Sequence, residues 1–309
     1  MAPLGIMRKV LVTGASGFVG RFCLPILQAN EFEVHAVSSR AAEVTNSGIR
    51  WHQTDLLDAH ESASLVLEVR PTHLLHLAWH AVPGKYWSST ENIRWVRASL
   101  NLLQTFAEQG GERVVMAGTC AEYDWKNGFC SEQSTRLVPV TLYGVCKHAL
   151  QLVLDAYAAE TNLSAAWGRL FFLYGPHEHP ERLVASVIRS LLKNERARCS
   201  AGDQQRDFLF AEDAASAFVT LLSSDIRGPV NIASGHAVTV KEVAHRIAEM
   251  LNRPELLELG AISTSPDDPP LLVADVGRLR KEVGWKPRFD LNQGLEATIE
   301  WWKRSMFEK

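Results

Sequence analysis

A glycine-rich turn directly after the first strand-like segment limits the folds open to this chain. Residues 9–20 read KVLVTGASGFVG, where an apolar run predicts a strand and a helical pattern follows. A tight turn favours glycine at Gly14, close approach of a phosphate favours Gly17, and close helix–strand packing favours Gly20. Because N–H groups at a helix N-terminus bind phosphate, the turn predicts a dinucleotide site, with a purely structural turn as the alternative.

Short apolar runs alternate with segments of helical period along most of the chain, which predicts an α/β protein with a Rossmann-type, doubly wound parallel sheet. The expected strands are Lys9–Thr13, Glu33–Val37, Arg50–Thr54, His73–Leu77, Arg113–Ala117 and Ser164–Leu170. The expected helices are Gly17–Ala29, Glu61–Leu67, Glu91–Gln109, Thr141–Thr161, Pro180–Leu192, Ala211–Leu222, Val240–Leu251 and Leu291–Lys303.

The alternation loosens from Phe171 onward, where prolines and the loop GDQQRDF interrupt it. We therefore expect a dinucleotide-binding Rossmann domain over residues 7–170, with residues 206–235 returning to it. A smaller C-terminal substrate-binding lobe is expected over residues 171–205 and 236–309.

Composition narrows the class of protein further. The chain has 309 residues, 46% of them hydrophobic, and a formal net charge of -3, so it has no basic field for a nucleic acid or a membrane surface. Its apolar runs fall short of the ~20 residues of a membrane span. Its five cysteines lack metal-ligand spacing, and its N-terminus lacks a signal-peptide pattern. We expect a cytoplasmic protein without a metal site.

The end of the second predicted strand indicates which dinucleotide binds. It reads HAVSSR, so Ser38, Ser39 and Arg40 stand where an NAD-binding chain carries a carboxylate for the ribose hydroxyl. This favours NADP(H) over NAD(H), with Arg40 on the 2′-phosphate and Arg21 as a second candidate cation. Asp55, after the third strand, is expected to accept a hydrogen bond from the adenine edge or else to cap a helix.

Tyr143 and Lys147 lie four residues apart in a predicted helix, so both side chains share one face. An ammonium near a phenol stabilises the phenolate, which makes the pair a proton donor and acceptor. Thr119, at the end of the fifth strand, is expected to hydrogen-bond the same substrate oxygen. A surface Tyr/Lys pair is the alternative.

Six segments resemble the short-chain dehydrogenase/reductase superfamily, in its extended branch that acts on nucleotide-linked sugars. In chain order they are TGASGFVG at 13–20, HLA at 76–78, GTCAEY at 118–123, YGVCK at 143–147, RLFFLYGP at 169–176 and DQQRDFLFAEDAASA at 203–217. Together they cover nearly the whole chain.

The resemblance implies a catalytic role for Thr119, Tyr143 and Lys147, the last two also contacting the cofactor. The other cofactor contacts that it implies are Gly14, Ser16, Gly17, Phe18, Val19, Gly20, Ser39, Arg40, Asp55, Leu56, Leu77 and Ala78. The substrate contacts that it implies, besides Thr119, are His80, Phe172, His177 and Arg206. Arg206 is expected to bind the substrate diphosphate, or else to pair with Asp207 or Asp213.

Aromatic residues stand in the loops after the fourth and fifth strands, where ligands are expected. Trp79, Trp87 and Trp125 are expected either to stack on a nucleotide base or sugar ring or to pack in the core.

Several positions depart from the family's pattern. Cys120 and Ala121 follow Thr119 where the dehydratases carry an acidic pair, so the elimination machinery is missing. Phe172 replaces an asparagine, and Trp95 and Ser99 stand at the places of an asparagine and a threonine. His177 matches the acid–base histidine of epimerase–reductases, whose cysteine would fall at Ala121. The thiol at Cys120 is one residue early and faces the other way in a strand, which argues against two-base epimerisation.

The expected function is an NADP(H)-dependent 4-ketoreductase of a nucleotide-diphosphate-linked 6-deoxysugar. One alternative is a 4-epimerase that holds NAD tightly. Another is a non-catalytic NADP-binding sensor, which has no use for Thr119, Tyr143 and Lys147. The resemblance also implies a homodimer, joined by a four-helix bundle of the helices Glu91–Gln109 and Thr141–Thr161. Their apolar positions Trp95, Leu100, Leu103, Leu150, Val153 and Leu154 exceed what one sheet-facing stripe needs.

Overall fold

The computed structural model describes residues 8–40, 48–263 and 268–307. Its strands are β1 (Lys9–Thr13), β2 (Glu33–Ser38), β3 (Ile49–Gln53), β4 (His73–His76), β5 (Arg113–Thr119), β6 (Phe129–Cys130), β7 (Ser164–Leu170), β8 (Phe172–Tyr174), β9 (Ala197–Arg198), β10 (Gln205–Phe210), β11 (Gly228–Ile232), β12 (Ala237–Thr239), β13 (Leu257–Glu258) and β14 (Leu271–Ala274).

The helices alternate with these strands in the first half of the chain. They are α1 (Gly20–Ala29), α2 (Ala59–Val69), α3 (Glu91–Glu108), α4 (Leu142–Thr161), α5 (Leu183–Leu192), α6 (Ala211–Leu222), α7 (Val240–Met250), α8 (Gly277–Lys281) and α9 (Leu291–Phe307). Within the described ranges, no helix combines the length and the apolar character needed to cross a membrane.

The described residues form two compact units. The first takes its residues from Met1–Glu122, Leu137–Arg169 and Ala215–Val230, and the second from Tyr123–Arg136, Leu170–Ala214 and Asn231–Lys309. The segment that returns to the first unit is thus shorter than the expected 206–235, and residues 123–136 fall in the second unit.

The first unit is built on a sheet of order β11-β7-β5-β4-β1-β2-β3. The pairs β1–β2, β1–β4, β2–β3 and β4–β5 are parallel. The strand order reverses between β1 and β4, and a doubly wound sheet binds its ligands beyond the carboxyl ends of the strands at such a point. The predicted Rossmann-type fold is confirmed.

The predicted elements differ from the observed ones mainly at their ends. The strands Lys9–Thr13 and Ser164–Leu170 and the helix Ala211–Leu222 are confirmed at both ends. Helix α1 begins at Gly20 and not at Gly17, because the Gly17 N–H donates to the Gly14 carbonyl at 2.9 Å and closes a turn first. Strand β5 runs to Thr119, two residues beyond the prediction.

The second unit contains a sheet of order β12-β10-β14-β6, with β8 also paired to β10. Strands β6 and β8 to β14 were not predicted. Six of them have only two to four residues, too few for a measurable periodicity, while the longer β10 and β11 were missed as well. Helices α5, α7 and α9 bury their apolar faces in one core, which includes Ile188, Ile247 and Trp302. Helix α5 begins at Leu183, three residues after the predicted start at Pro180.

Candidate functional site

The glycine turn packs directly against the chain after β4. A Cβ atom at Gly14, whose φ is +67°, would lie 2.8 Å from the Ala78 amide nitrogen and 2.9 Å from the Leu77 carbonyl carbon. One at Gly20 would lie 2.1 Å from the Gly14 carbonyl oxygen. No side chain of a described residue caps the N-terminus of α1, and the Arg21 and Phe22 N–H groups donate to the backbone carbonyls of Gly17 and Val19. A turn of this shape fits a dinucleotide phosphate.

Arg21 and Arg40, the cations predicted near the glycine turn, differ in their surroundings. Arg21 donates to the carbonyl oxygens of Ser16 at 2.6 Å and Gly17 at 3.0 Å, so it is tied to the turn itself. Arg40 is exposed, and its backbone N–H donates to Ser38 Oγ at 3.3 Å. Ser38 Oγ also lies 3.3 Å from Ser16 Oγ, which links the end of β2 to the glycine turn.

The alternative role of Asp55 as a helix cap is wrong. Helix α2 is capped by Asp58, whose carboxylate accepts from the N–H groups of His60 and Glu61. Asp55 is exposed, and its carboxylate accepts from the Leu57 N–H at 3.0 Å in the preceding turn. Leu56 beside it is buried. The role of Asp55 at the adenine edge stays a prediction.

Thr119, Tyr143 and Lys147 come together at the carboxyl end of β5. Thr119 is the last residue of β5, and its hydroxyl, which accepts from the Ala121 N–H at 3.2 Å, lies close enough to the Tyr143 phenol to lower the pKa of that phenol. Helix α4 begins one residue before Tyr143, because the Thr141 hydroxyl caps it by accepting from the Gly144 N–H. Lys147, one turn further along α4, donates to the Ala117 carbonyl at 2.7 Å.

Three aromatic side chains surround the Tyr143 ring. The ring centroids of Tyr86, Trp87 and Trp79 lie 4.9, 5.8 and 6.5 Å from that of Tyr143, all edge to face. The Lys147 ammonium lies 3.8 Å from the Trp79 ring centroid. Trp79 and Trp87 therefore face the catalytic candidates, while the expectation that one of them stacks on a ligand stays a prediction.

Asn92 holds this aromatic loop in place, and sequence reasoning missed it. Its buried amide donates to the carbonyls of Tyr86 at 2.7 Å and Ser89 at 2.8 Å, and its oxygen accepts from Trp79 Nε1 at 2.8 Å. An asparagine at the first turn of a helix is typical of a solvated cap, so the pattern gave no signal for this buried role.

Burial changes the proton affinities of these groups. Removal from water raises the pKa of the Tyr143 phenol above its usual range, while the nearby Thr119 hydroxyl acts in the opposite direction. Burial lowers the pKa of Lys147 to about 7, against the attraction of Glu122, which raises it. The ammonium of Lys147 is thus close to its titration midpoint at neutral pH.

His76 and Ser99 take part in a buried hydrogen-bond network that joins β1, β4 and α3. His76 Nδ1 lies 2.7 Å from Thr13 Oγ1, and Nε2 lies 2.8 Å from Ser99 Oγ. The Ser99 hydroxyl donates to the Trp95 carbonyl at 2.7 Å. Burial lowers the pKa of His76 to about 3, so the ring is neutral and braces β4 against α3.

The second unit contains the predicted substrate residues Phe172, His177 and Arg206. Arg206 is 4% exposed and pairs with Asp268, so its predicted pairing with Asp207 or Asp213 is wrong. Asp207 instead accepts from Ser234, Gly235 and Ala274, and Asp213 accepts from the backbone of Arg288 and Phe289. The Arg206 guanidinium also lies 5.4 Å from the Phe172 ring centroid.

His177 and His80 occupy different surroundings. His177 is exposed with φ +67°, and its ring centroid lies 4.4 Å from that of Trp301. His80 is half-buried in the loop after β4. A cavity of about 620 Å³ also lies within the second unit, but its lining, which includes Phe208, Phe210 and Arg288, contains none of the predicted substrate residues.

All five cysteines lie in the described residues, and each is a buried thiol. Cys120 is 7% exposed, which agrees with a packing role. In the ranges that the structure describes, no three His, Cys, Asp or Glu residues are grouped so as to hold a metal ion.

Comparison with known proteins defines the class. The model of the NAD dependent epimerase/dehydratase family matches residues 10–233, and the chain belongs to this family. The resemblance inferred from the six sequence segments is therefore confirmed. UDP-glucuronic acid decarboxylase 1 of Xenopus tropicalis is 25% identical over 312 residues, which cover 97% of this chain and 73% of that protein.

Two solved structures extend the comparison. MoeE5 in complex with UDP-glucuronic acid and NAD is 32% identical with a TM-score of 0.83, covering 96% of this chain and 100% of MoeE5. The UDP-glucose 4-epimerase of Thermus thermophilus in complex with NAD is 25% identical with a TM-score of 0.83, covering 96% and 99% of the two chains.

Proposed function

We propose that this protein is an NADP(H)-dependent 4-ketoreductase of a nucleotide-diphosphate-linked 6-deoxysugar. The observation that carries the proposal is the grouping of three side chains at the carboxyl end of β5, with the Thr119 hydroxyl beside the Tyr143 phenol and Lys147 one helical turn away. This group lies in the same unit as the glycine turn, which fits a dinucleotide. A non-catalytic sensor needs the turn but has no need of a half-buried phenol beside a buried hydroxyl and a buried ammonium.

The proposed chemistry assigns one task to each side chain. A bound nicotinamide supplies the hydride for the ketone carbon. Thr119 donates a hydrogen bond to the ketone oxygen and stabilises the negative charge that develops there. Tyr143 donates the proton to that oxygen, and the Lys147 ammonium stabilises the phenolate left behind. The raised pKa of Tyr143 keeps the phenol protonated, as a reductase requires of its acid.

The substrate class is supported by the relatives and by Arg206. The Xenopus decarboxylase, MoeE5 and the Thermus epimerase are named for, or are bound to, UDP-linked sugars. We propose that Arg206 binds the diphosphate of a related substrate. Because Arg206 is paired with Asp268, an anionic ligand there must displace that carboxylate.

The observation against a dehydratase is the segment after Thr119. Cys120 and Ala121 supply no carboxyl group there, and the next acidic residue, Glu122, is fully buried against Arg169. The competing proposal is a 4-epimerase, which the Thermus structure with NAD favours. An epimerase returns the hydride that it removes and so consumes no cofactor.

The deciding experiment incubates the protein with NADPH and a panel of nucleotide-linked 4-keto-6-deoxysugars while the absorbance of the reduced cofactor is followed. We expect one NADPH oxidised for each ketone reduced. Interconversion of two 4-hydroxy sugar nucleotides without added cofactor would establish the epimerase instead. Absence of both reactions over the whole panel would contradict either enzyme.

Cofactor preference is proposed to depend on Arg40. We expect Arg40→Ala to weaken NADPH binding by ~1.5–3 kcal/mol, the range for a hydrogen bond to a charged group, and to leave NADH binding nearly unchanged. Fluorescence titration with both cofactors measures this. The related structures hold NAD, so an equal loss for both cofactors, or an intrinsic preference for NADH, would refute the proposed preference.

We propose that the protein forms a homodimer through α3 and α4. The apolar positions named from the sequence were partly wrong, because Leu103, Leu150 and Leu154 are buried in the core of the first unit. Apolar side chains that are 45–57% exposed nevertheless remain on these two helices, namely Ile93, Val145, Leu152 and Val153. Such a patch on two adjacent helices is typical of an interface.

Light scattering at micromolar concentration tests the dimer. We expect twice the chain mass for the unaltered protein and the mass of one chain for Leu152→Glu, since a charge in an apolar interface opposes association. Glu160→Lys, exposed near the end of α4, is the control and should stay dimeric. A single-chain mass for the unaltered protein would contradict the proposal.

A further inference from the structure

Two buried groups of opposite charge hold the end of β5 at neighbouring peptide groups. The Lys147 ammonium donates to the Ala117 carbonyl at 2.7 Å, and the Glu122 carboxylate accepts from the Thr119 N–H at 2.7 Å. Lys147 is 3% exposed and Glu122 is 0% exposed. The two side chains therefore fix the backbone on both sides of Gly118, directly before the Thr119 hydroxyl.

Gly118 makes this arrangement possible. A Cβ atom there would lie 2.7 Å from Glu122 Oε1 and 2.0 Å from Trp167 Nε1. A side chain at this position would therefore push away both the carboxylate and the indole that bonds to it at 2.9 Å. The strand end is shaped to admit Glu122.

Glu122 is anchored by a chain of buried polar contacts. Arg169 Nε donates to its carboxylate at 2.8 Å, and a second Arg169 nitrogen donates to Gln151 Oε1 at 2.8 Å. The Gln151 amide then donates to Asp155 at 2.7 Å. These bonds leave Glu122 little freedom to turn away from Thr119.

Stability alone is a weak reason for the buried ion pair of Glu122 and Arg169. Desolvating a carboxylate and a guanidinium is costly, and apolar side chains of similar volume often stabilise a fold equally well or better. The placement of Glu122, on the amide of the residue that we assign to the substrate oxygen, suggests a role in function.

We propose that Glu122 is a positioning residue, which holds the Thr119 peptide in place and acts as the buried negative partner of Lys147. The proposal rests on the function proposed above only in the roles given to Thr119, Tyr143 and Lys147. Glu122 touches no substrate atom in this scheme. It acts through its neighbours. It keeps the Thr119 hydroxyl next to the Tyr143 phenol, and it keeps Lys147 protonated.

Several titratable groups lie around Lys147, and their charges affect its pKa. Glu122 attracts its charge, and His76 on β4 stays a neutral ring, since the charge of Lys147 further disfavours its protonation. Glu122 also acts on Tyr143 and on Asp155, both of α4, and Cys120 acts on Tyr143. Arg169 of β7 is the cation that pairs with Glu122. Burial lowers the pKa of Lys147, and the negative charge of Glu122 raises it again in part.

The test uses the double variant E122Q/R169M. E122Q alone leaves the buried Arg169 without a counter-ion and is at risk of not folding. Removing both charges avoids this, and the amide that replaces the carboxylate keeps an oxygen to accept from the Thr119 N–H. D155N is the matched control, because it removes a carboxylate from the far end of the same network and touches neither Thr119 nor Lys147.

The first readout needs neither substrate nor cofactor. NMR titration of protein labelled with ¹³C at the lysine ε-carbons follows Lys147, whose resonance is assigned with K147M. We expect the pKa of Lys147 to fall in E122Q/R169M, by less than the ~1 unit that loss of a lone opposite charge causes, because the variant also removes the Arg169 cation, and to be unchanged in D155N. An unchanged titration midpoint in a folded E122Q/R169M protein would overturn the proposal.

The second readout is the pH profile of ketone reduction. As the pKa of Lys147 falls, the ammonium is lost at lower pH, so the alkaline limb of the kcat profile moves to lower pH by the same amount as the NMR midpoint, and kcat near pH 7.5 falls by about twofold to eightfold. KM for the sugar nucleotide should change less than about twofold. A purely structural role would lower Tm and leave both profiles in place. If the unaltered protein reduces no ketone, the proposed function fails, while the NMR titration still decides the electrostatic role of Glu122.

Discussion

Tyr143→Phe is expected to abolish ketone reduction. The substitution keeps the ring between Tyr86, Trp87 and Trp79 and removes the hydroxyl beside Thr119. The developing oxyanion is then left without its proton donor. Steady-state oxidation of NADPH measures the loss, and fluorescence titration should show cofactor binding within a few-fold of the unaltered protein.

The matched control is Tyr157→Phe, which removes a phenol further along the same helix, on the partly buried fringe of the core. It should retain full activity. The rate of ketone reduction by Thr119→Ala is expected to lie between those of the two variants. The expected loss is ~10²–10⁴-fold, the range for removal of a general acid or an oxyanion donor. Full activity in Tyr143→Phe would remove the proposed enzymatic mechanism altogether.

Gly20→Ala is expected to disrupt the cofactor turn. The added Cβ would lie 2.1 Å from the Gly14 carbonyl oxygen and 2.9 Å from the Ala15 Cα, both backbone atoms that no rotamer change can move. The turn must open, so destabilisation should reach or exceed the ~1–3 kcal/mol of an overpacked site. Dinucleotide binding should be lost with it. Thermal unfolding and cofactor fluorescence measure the two effects.

Gly110→Ala separates this clash from the general cost of replacing a glycine. Gly110 follows α3 with φ +84°, and a Cβ there meets no described atom within 4 Å. The expected cost is only the ~1–2 kcal/mol of a left-handed residue with a side chain, and cofactor binding should be unaffected. Equal behaviour of the two variants would mean that the turn does not depend on the close approach at Gly20.

The fold was predictable because its signals are local. Apolar runs identified β1 and β7 at both ends, and the spacing of Gly14, Gly17 and Gly20 predicted the turn between β1 and α1. The spacing of Tyr143 and Lys147 on one helix placed them on a common face, and the structure brings Thr119 to them. Each of these inferences uses residues that lie close together in the sequence.

The missed features depend on partners far apart in the chain. Glu122 and Arg169 are 47 positions apart, and nothing at either position indicates that the two are buried together. Arg206 pairs with Asp268, 62 positions away, and not with the acidic residues beside it, because those bind backbone amides. The Asn92 side chain donates to the Tyr86 carbonyl in the loop before α3, a role that helix propensity does not predict.

The five buried thiols can be used as probes of local unfolding. Cys23, Cys120 and Cys146 belong to the first unit, and Cys130 and Cys199 to the second. A thiol reagent reaches each of them only when the structure around it opens, so labelling rates, mapped by mass spectrometry, give the local opening free energies of both units without an added probe. Slower labelling of Cys120 and Cys146 in the presence of a dinucleotide would report its binding where no turnover takes place.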